Sequence, residues 1–178
     1  MQKTVLTFGL IAGAILSAVM LATLPFQDKI GYGWGMVIGY TSMVAAFLMV
    51  YFGVRSYRDR TSGGHVGFGR ALLLGALIAL VASLCYVATW EVIFYKTMPD
   101  FGDQYAAHVL QKAREAGASE AQLAAKAKEM AEFQTLYRNP LYNIAMTLIE
   151  PLPVGLVFAL VTAGVLGRRR RAEGVAAA

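Results

Sequence analysis

Four long apolar stretches, Thr4–Leu24, Tyr32–Val54, Ala71–Phe94 and Leu141–Leu166, leave this chain few ways to fold. Each matches or exceeds the about 20 residues a helix needs to cross about 30 Å of hydrocarbon. A helix satisfies its own backbone hydrogen bonds, which lipid cannot do for it. Together the stretches take up about half of the 178 residues, too much to leave room for a separate soluble enzyme domain. Composition agrees. Charged residues make up 15% of the chain, against about 25% in soluble domains.

The first stretch follows a single basic residue, Lys3. Secretory signals have shorter apolar cores, about 7–15 residues, and end at an A-x-A-like site. "VMLATLPFQDK" contains no such site, so Thr4–Leu24 is read as a retained first helix. The lone cysteine, Cys85, lies within the third stretch. It can form no internal disulfide and, alone, no metal site, so it reads as a small apolar residue.

Charge orients the helices, because loops rich in Lys and Arg stay on the cytoplasmic side. Lys3, the group Arg55, Arg58, Arg60 and Arg70, and the tail Arg168, Arg169, Arg170 and Arg171 fall on one side, which carries +7 once Asp59 and Glu173 are counted. The segment between the third and fourth stretches has six basic and six acidic residues and is neutral. Both termini are therefore expected in the cytoplasm and the 96–140 segment outside it. Tyr32, Trp34, Trp90, Phe94, Tyr95, Tyr137 and Tyr142 then mark the outer interface, and Tyr51, Phe52, Tyr57 and Phe68 the inner one. Topology and attraction to anionic lipid account for the basic excess, and no nucleic-acid partner is expected.

Leucine does not drive helix association in lipid, whereas close approach through small residues does. Every stretch carries such residues at intervals of four: Gly9, Gly13 and Ser17; Gly31, Gly35 and Gly39; Ala71, Gly75, Ala79 and Ser83; Gly155, Ala159, Ala163 and Gly167. This spacing keeps them on one side of a helix. A packed bundle is expected, with the stripes also open to a second copy of the chain or another membrane protein. "SGGHVGFGR" lacks the Lys-Ser or Lys-Thr pair and the preceding strand of a phosphate loop, so it reads as a flexible turn with His65 in water.

The 96–140 segment is rich in helix formers. Gly117 breaks the pattern, and Ser119 with Gln122 forms the spacing of a capping box. The reading predicts two helices, Asp103–Glu115 and Glu120–Arg138, lying on the bilayer surface, capping the bundle or meeting a partner. His108 has no companion ligand in sequence.

Charges inside hydrocarbon are costly and so mark function or a buried partner. Glu91 lies 21 residues after Arg70 and Glu150 lies 18 before Arg168. At about 1.5 Å per residue, both sit roughly 27–32 Å from the cytoplasmic edge. Pro151 and Pro153 lack amide hydrogens, which frees the carbonyls of Thr147 and Ile149. Glu91 and Glu150 are therefore the candidate proton, cation or ion-pair site, with Lys29, Lys96 and Arg138 as the available countercharges. On a straight helix Glu150 points with Val154, Val157 and Val161, away from Ala159.

Three segments, "YGWGMVIGYTSMVAAFLMVYFGVRSYRDR", "GFGRALLLGALIALVASLCYVATWE" and the run from "GASEAQLAAKAKEM" to "LIEPLPVGLVFALVTAGVLGRRR", together resemble the Domain of Unknown Function 4199 family of bacterial membrane proteins. The resemblance covers about residues 4–170. Arg55, Tyr57, Arg58, Trp90, Glu91, Asn139, Pro140, Glu150, Pro151, Pro153 and Gly155 match its recurring features, and the paired prolines look like a local elaboration. It implies a bacterial inner-membrane protein with four helices and a long loop before the last. It brings no activity, substrate or catalytic residue.

The expected architecture is all-α: an integral membrane bundle of four transmembrane helices over residues 1–171, with an extracytoplasmic helical insertion between helices 3 and 4, and a disordered tail at 172–178. No nucleophile with a base, histidine cluster or metal spacing is present, so neither an enzyme nor a cofactor is expected. The expected role is a non-enzymatic structural, assembly or accessory component. The alternative is a small proton- or cation-coupled transporter using Glu91 and Glu150.

Overall fold

Helix succeeds helix along the whole described chain. The computed structural model describes residues 1–167, with the backbone alone at positions 27, 28, 32 and 61. Arg168, Arg169, Arg170, Arg171 and the 172–178 tail lie outside the described residues. The elements are α1 (Gln2–Thr23), α2 (Gln27–Thr61), α3 (Phe68–Lys96), α4 (Phe101–Glu115), α5 (Glu120–Tyr137), α6 (Pro140–Ile149) and α7 (Pro151–Leu166), with one 3₁₀ turn at Leu24–Phe26. No strand occurs among the described residues.

Four helical stretches are long and apolar enough to cross a membrane: Gln2–Phe26, Gly33–Arg60, Phe68–Lys96 and Pro140–Leu166, the last built from α6 and α7. The second runs beyond the expected Val54. Arginine is a good helix former, and Asp59 accepts an ion pair from Arg55 one turn earlier at 3.7 Å. Near its start α2 is kinked at Gly31, whose φ of 67° only glycine adopts readily.

The helices before the fourth stretch follow local chemistry. Gly117, at φ 81°, ends α4. Its amide donates to the Arg114 carbonyl at 2.9 Å and the Ala118 amide to that of Ala113 at 3.0 Å, the paired bonds of a Schellman cap. Two residues later the Ser119 amide donates to Gln122 Oε1 at 2.8 Å, and the Gln122 amide to Ser119 Oγ at 3.4 Å, closing the capping box of α5.

The chain divides into two compact units. The first combines Met1–Tyr86 with the described residues from Ile149 on. Within it α2 packs against both α1 and α7, and α3 approaches the same two helices most closely. A Cβ placed on Gly9 would lie 2.7 Å from Val81 Cβ, and one on Gly13 would lie 2.5 Å from Cys85 Cβ, so α1 meets α3 at backbone distance. A Cβ on Gly155 would lie 2.6 Å from Ala79 Cβ, and one on Gly75 would lie 3.0 Å from Ala159 Cβ, which brings α7 equally close. From α2, Phe47 and Val50 fill the space beside this seam, and Gly53 admits Phe8 and Ile78. Large apolar side chains elsewhere, such as Leu10, Trp34, Val157 and Val161, face outward.

The stripes on α1, α3 and α7 are thus packing seams, while that on α2 is not. A Cβ on Gly31, Gly35 or Gly39 would meet nothing within 4 Å. The packed face of α2 begins only at Met43 and continues through Ala46, Phe47, Val50 and Val54.

The second unit, Val87–Leu148, is organised by aromatic rings. Trp90 meets Phe101 edge-on at 4.9 Å, Phe94 meets Tyr137 at 5.4 Å, and Phe133 lies 5.1 Å from Tyr137. Gln134 Nε2 donates to the Gly102 carbonyl at 2.9 Å, tying α5 to the start of α4.

Overpacking a filled interface costs about 1–3 kcal/mol. Gly155→Ala is therefore expected to lower the thermal midpoint of the detergent-solubilised protein by several degrees. Gly35→Ala, in open space, is expected to change stability by less than about 0.5 kcal/mol. Unfolding followed by circular dichroism checks both.

Candidate functional site

The fourth stretch is interrupted at Glu150, between the end of α6 at Ile149 and the start of α7 at Pro151. Two prolines in three residues withhold the amides that would bond the carbonyls of Thr147 and Ile149. Across the seam, α3 and α7 run antiparallel in a regular register: Gly75 faces Ala159 and Ala79 faces Gly155. One further step of four along each helix brings Ser83 level with Pro151. Both are fully buried. One turn on from Ser83, Tyr86 Oη donates a 2.9 Å hydrogen bond to Glu150 Oε2.

Glu150 itself is half-buried. The straight-helix projection directs it away from the seam; the structure brings it to Tyr86 on α3. Glu150 keeps right-handed helical backbone angles, φ −76° and ψ −61°, and its carboxylate reaches Tyr86 from the edge of the packed face. Ser83 Oγ is buried and has no hydrogen-bond partner among the described residues.

Glu91 belongs to the second unit. It is half-buried on α3, beside Trp90 in sequence, and its Oε1 is buried without a hydrogen-bond partner among the described residues. Trp90 Nε1 donates to Tyr137 Oη at 3.0 Å and so is anchored within the aromatic group. Among the described residues the ion pairs are Arg55–Asp59, Arg58–Asp59 and Lys126–Glu129. Within the first unit Lys29 makes none with Glu150, and within the second neither Lys96 nor Arg138 makes one with Glu91, among the described residues.

The remaining matched positions have local roles. Asn139 Oδ1 accepts from the Leu141 amide at 3.0 Å and its carbonyl accepts from the Asn143 amide at 2.9 Å, starting α6 with Pro140 in its first position. Arg58 Nε donates to Asp59 Oδ1 at 2.7 Å, while Arg60 and Arg70 are exposed. Tyr57 is buried in the first unit. His65 is exposed and His108 half-buried. No group of three or more His, Cys, Asp or Glu suited to a metal occurs among the described residues. The donors at the interruption are all oxygens.

The sequence reading missed three polar residues. Tyr86 pairs with Glu150, and only the α3–α7 register reveals it. Asn143 and Thr147 are buried within α6, where Thr147 Oγ1 donates to Asn143 Oδ1 at 3.2 Å and Asn143 Nδ2 donates to the Tyr137 carbonyl at 3.3 Å. Their spacing of four, on one face of an apolar helix, was the available signal.

These features define an all-helical protein with four membrane-compatible helices and a helical pair before the fourth. The chain belongs to the family described as Protein of unknown function (DUF4199), whose profile matches residues 7–168. No curated protein and no solved structure matches the chain significantly.

Tyr86→Phe removes the donor to Glu150 and keeps the ring. A double-mutant cycle with Glu150→Gln is expected to give a coupling energy of about 1 kcal/mol. Additive effects on unfolding in detergent would show that the bond contributes nothing.

Proposed function

We propose that this is a multi-pass protein of the bacterial inner membrane, acting as a non-enzymatic structural, assembly or accessory component. Its termini are cytoplasmic and the α4–α5 pair lies outside the cytoplasm. The clustering of Lys and Arg at Lys3, Arg55–Arg70 and Arg168–Arg171 supports that orientation. Its first partner is the lipid bilayer, and a second copy or another membrane protein is the class of protein partner.

One observation carries the choice of an accessory role. The buried polar side chains among the described residues are Ser83, Asn143, Thr147 and Thr162, with no charged residue among them. Carriers place ionisable groups along an internal path, with binding near mid-membrane at broken helices. Here α1 and α7 close onto α3 through glycine and alanine instead.

The second reading is a small proton- or cation-coupled transporter using Glu91 and Glu150. It draws on the unpartnered buried oxygen of Glu91 and on the interrupted fourth stretch.

Flux measurements on purified protein in sealed vesicles separate the two. The accessory role is expected to give proton and sodium flux equal to that of protein-free vesicles under an imposed gradient. Flux above that level, lost in Glu91→Gln or Glu150→Gln, would establish the carrier instead.

A further inference from the structure

Within the second unit, a small cleft carries both signs of charge in its lining. Part of that lining is aromatic: Phe94 and Tyr137 are buried and meet edge-on at 5.4 Å. Asp103 on α4 and Arg138, which caps the end of α5, also border the cleft, and both are exposed. Neither makes an ion pair among the described residues. Gln134 is a third polar group on the cleft. Its Nε2 donates to the Gly102 carbonyl at 2.9 Å. A carbonyl only accepts, so this bond fixes which way the amide is turned and leaves Oε1 as an acceptor.

The lining selects a ligand by charge and by size. A carboxylate, an amide oxygen and two aromatic rings together suit a cation, which such rings attract. The guanidinium of Arg138 suits a phosphate, to which arginine donates two parallel hydrogen bonds. One ligand meets both needs when it carries an ammonium and a phosphate a few atoms apart. The cavity volume is about 20 Å³, and a water-sized group needs about 10–15 Å³. A primary ammonium has that size, whereas a trimethylammonium is several times larger. The phosphate then stays at the mouth, with the exposed Arg138.

Position in the chain names the source. Phe94 lies in the last turn of the Phe68–Lys96 stretch, and Arg138 lies two residues before the Pro140–Leu166 stretch. Two helices of membrane-crossing length thus end at this cleft, which sets it at the level of lipid headgroups. Leu136 and Leu141, close to Arg138 in sequence, are exposed apolar side chains that suit acyl chains.

We propose that this cleft binds the phosphoethanolamine headgroup of a membrane lipid. Asp103 and Gln134 hold the ammonium beside Phe94 and Tyr137, and Arg138 holds the phosphate. The site rests on the reading of the four stretches as membrane spans and is independent of the choice between accessory component and carrier.

The test is thermal unfolding of the purified full-length protein in a non-ionic detergent. It is titrated with dioleoyl phosphatidylethanolamine, phosphatidylcholine or phosphatidylglycerol, and separately with water-soluble glycerophosphoethanolamine. The ethanolamine lipid is expected to raise the midpoint saturably, by roughly 3–6 °C at ten times its half-saturating content. The choline and glycerol lipids are expected to require at least about fivefold more for the same rise. Asp103→Asn and Arg138→Gln, both at exposed positions, are each expected to raise the half-saturating content of the ethanolamine lipid about fivefold. Equal rises with the ethanolamine and choline lipids overturn the site, as does an unchanged half-saturation in Asp103→Asn. A rise with glycerophosphoethanolamine at the same concentrations assigns the cleft to a soluble zwitterion and overturns the lipid. A chain that stays dissolved without detergent contradicts the membrane reading instead.

Discussion

Lipid gives two leucine-covered helices almost no reason to associate, since the hydrocarbon is as apolar as they are. What remains is close packing, and the first unit obtains it through α3. Gly9 and Gly13 let α1 settle against Val81 and Cys85, while Gly155 and Ala159 let α7 settle against Ala79 and Gly75. Side chains as small as alanine and glycine allow backbones to approach without loss of rotamer freedom. The larger side chains of α2, Phe47 above all, then fill what the seam leaves. Glu150 reaches Tyr86 only because this seam fixes how far α7 lies along α3.

Where the sequence was legible, the physics was local or set by length. A run of about 20 apolar residues has one stable form in hydrocarbon, so the four stretches could be read from their lengths alone. The α4–α5 boundary was equally readable, because Gly117 and the pair Ser119 and Gln122 act within a few residues of themselves. The glycines of α2 show the limit of such reading. A glycine can mark a packing seam or a bend, and composition does not distinguish them. Gly31 bends the chain, and Gly35 and Gly39 face open space.

The candidate site was legible as residues and illegible as geometry. Glu91 and Glu150 stood out because carboxylates are rare in such stretches. Their environments depend on the register between helices, which a single-helix projection does not contain. Tyr86 is one tyrosine among 9 until the α3–α7 alignment selects it. Ser83 looked like one more small residue on a stripe, and its unsatisfied hydroxyl appears only once α7 is in place. In the second unit the aromatic group around Tyr137 holds Trp90, while Asn143 and Thr147 continue a buried polar line into α6.

The proposed topology has four crossings of the bilayer with the basic segments on one side. Single cysteines introduced at Gly64, at Gly117 and after Ala178, in a Cys85→Ser background, test this directly through labelling of intact cells with a membrane-impermeant maleimide. Labelling at Gly117 alone, with the other two sites reacting only after the cells are broken open, is the result expected. Labelling of intact cells at Gly64 or after Ala178, or protection at Gly117, would contradict it.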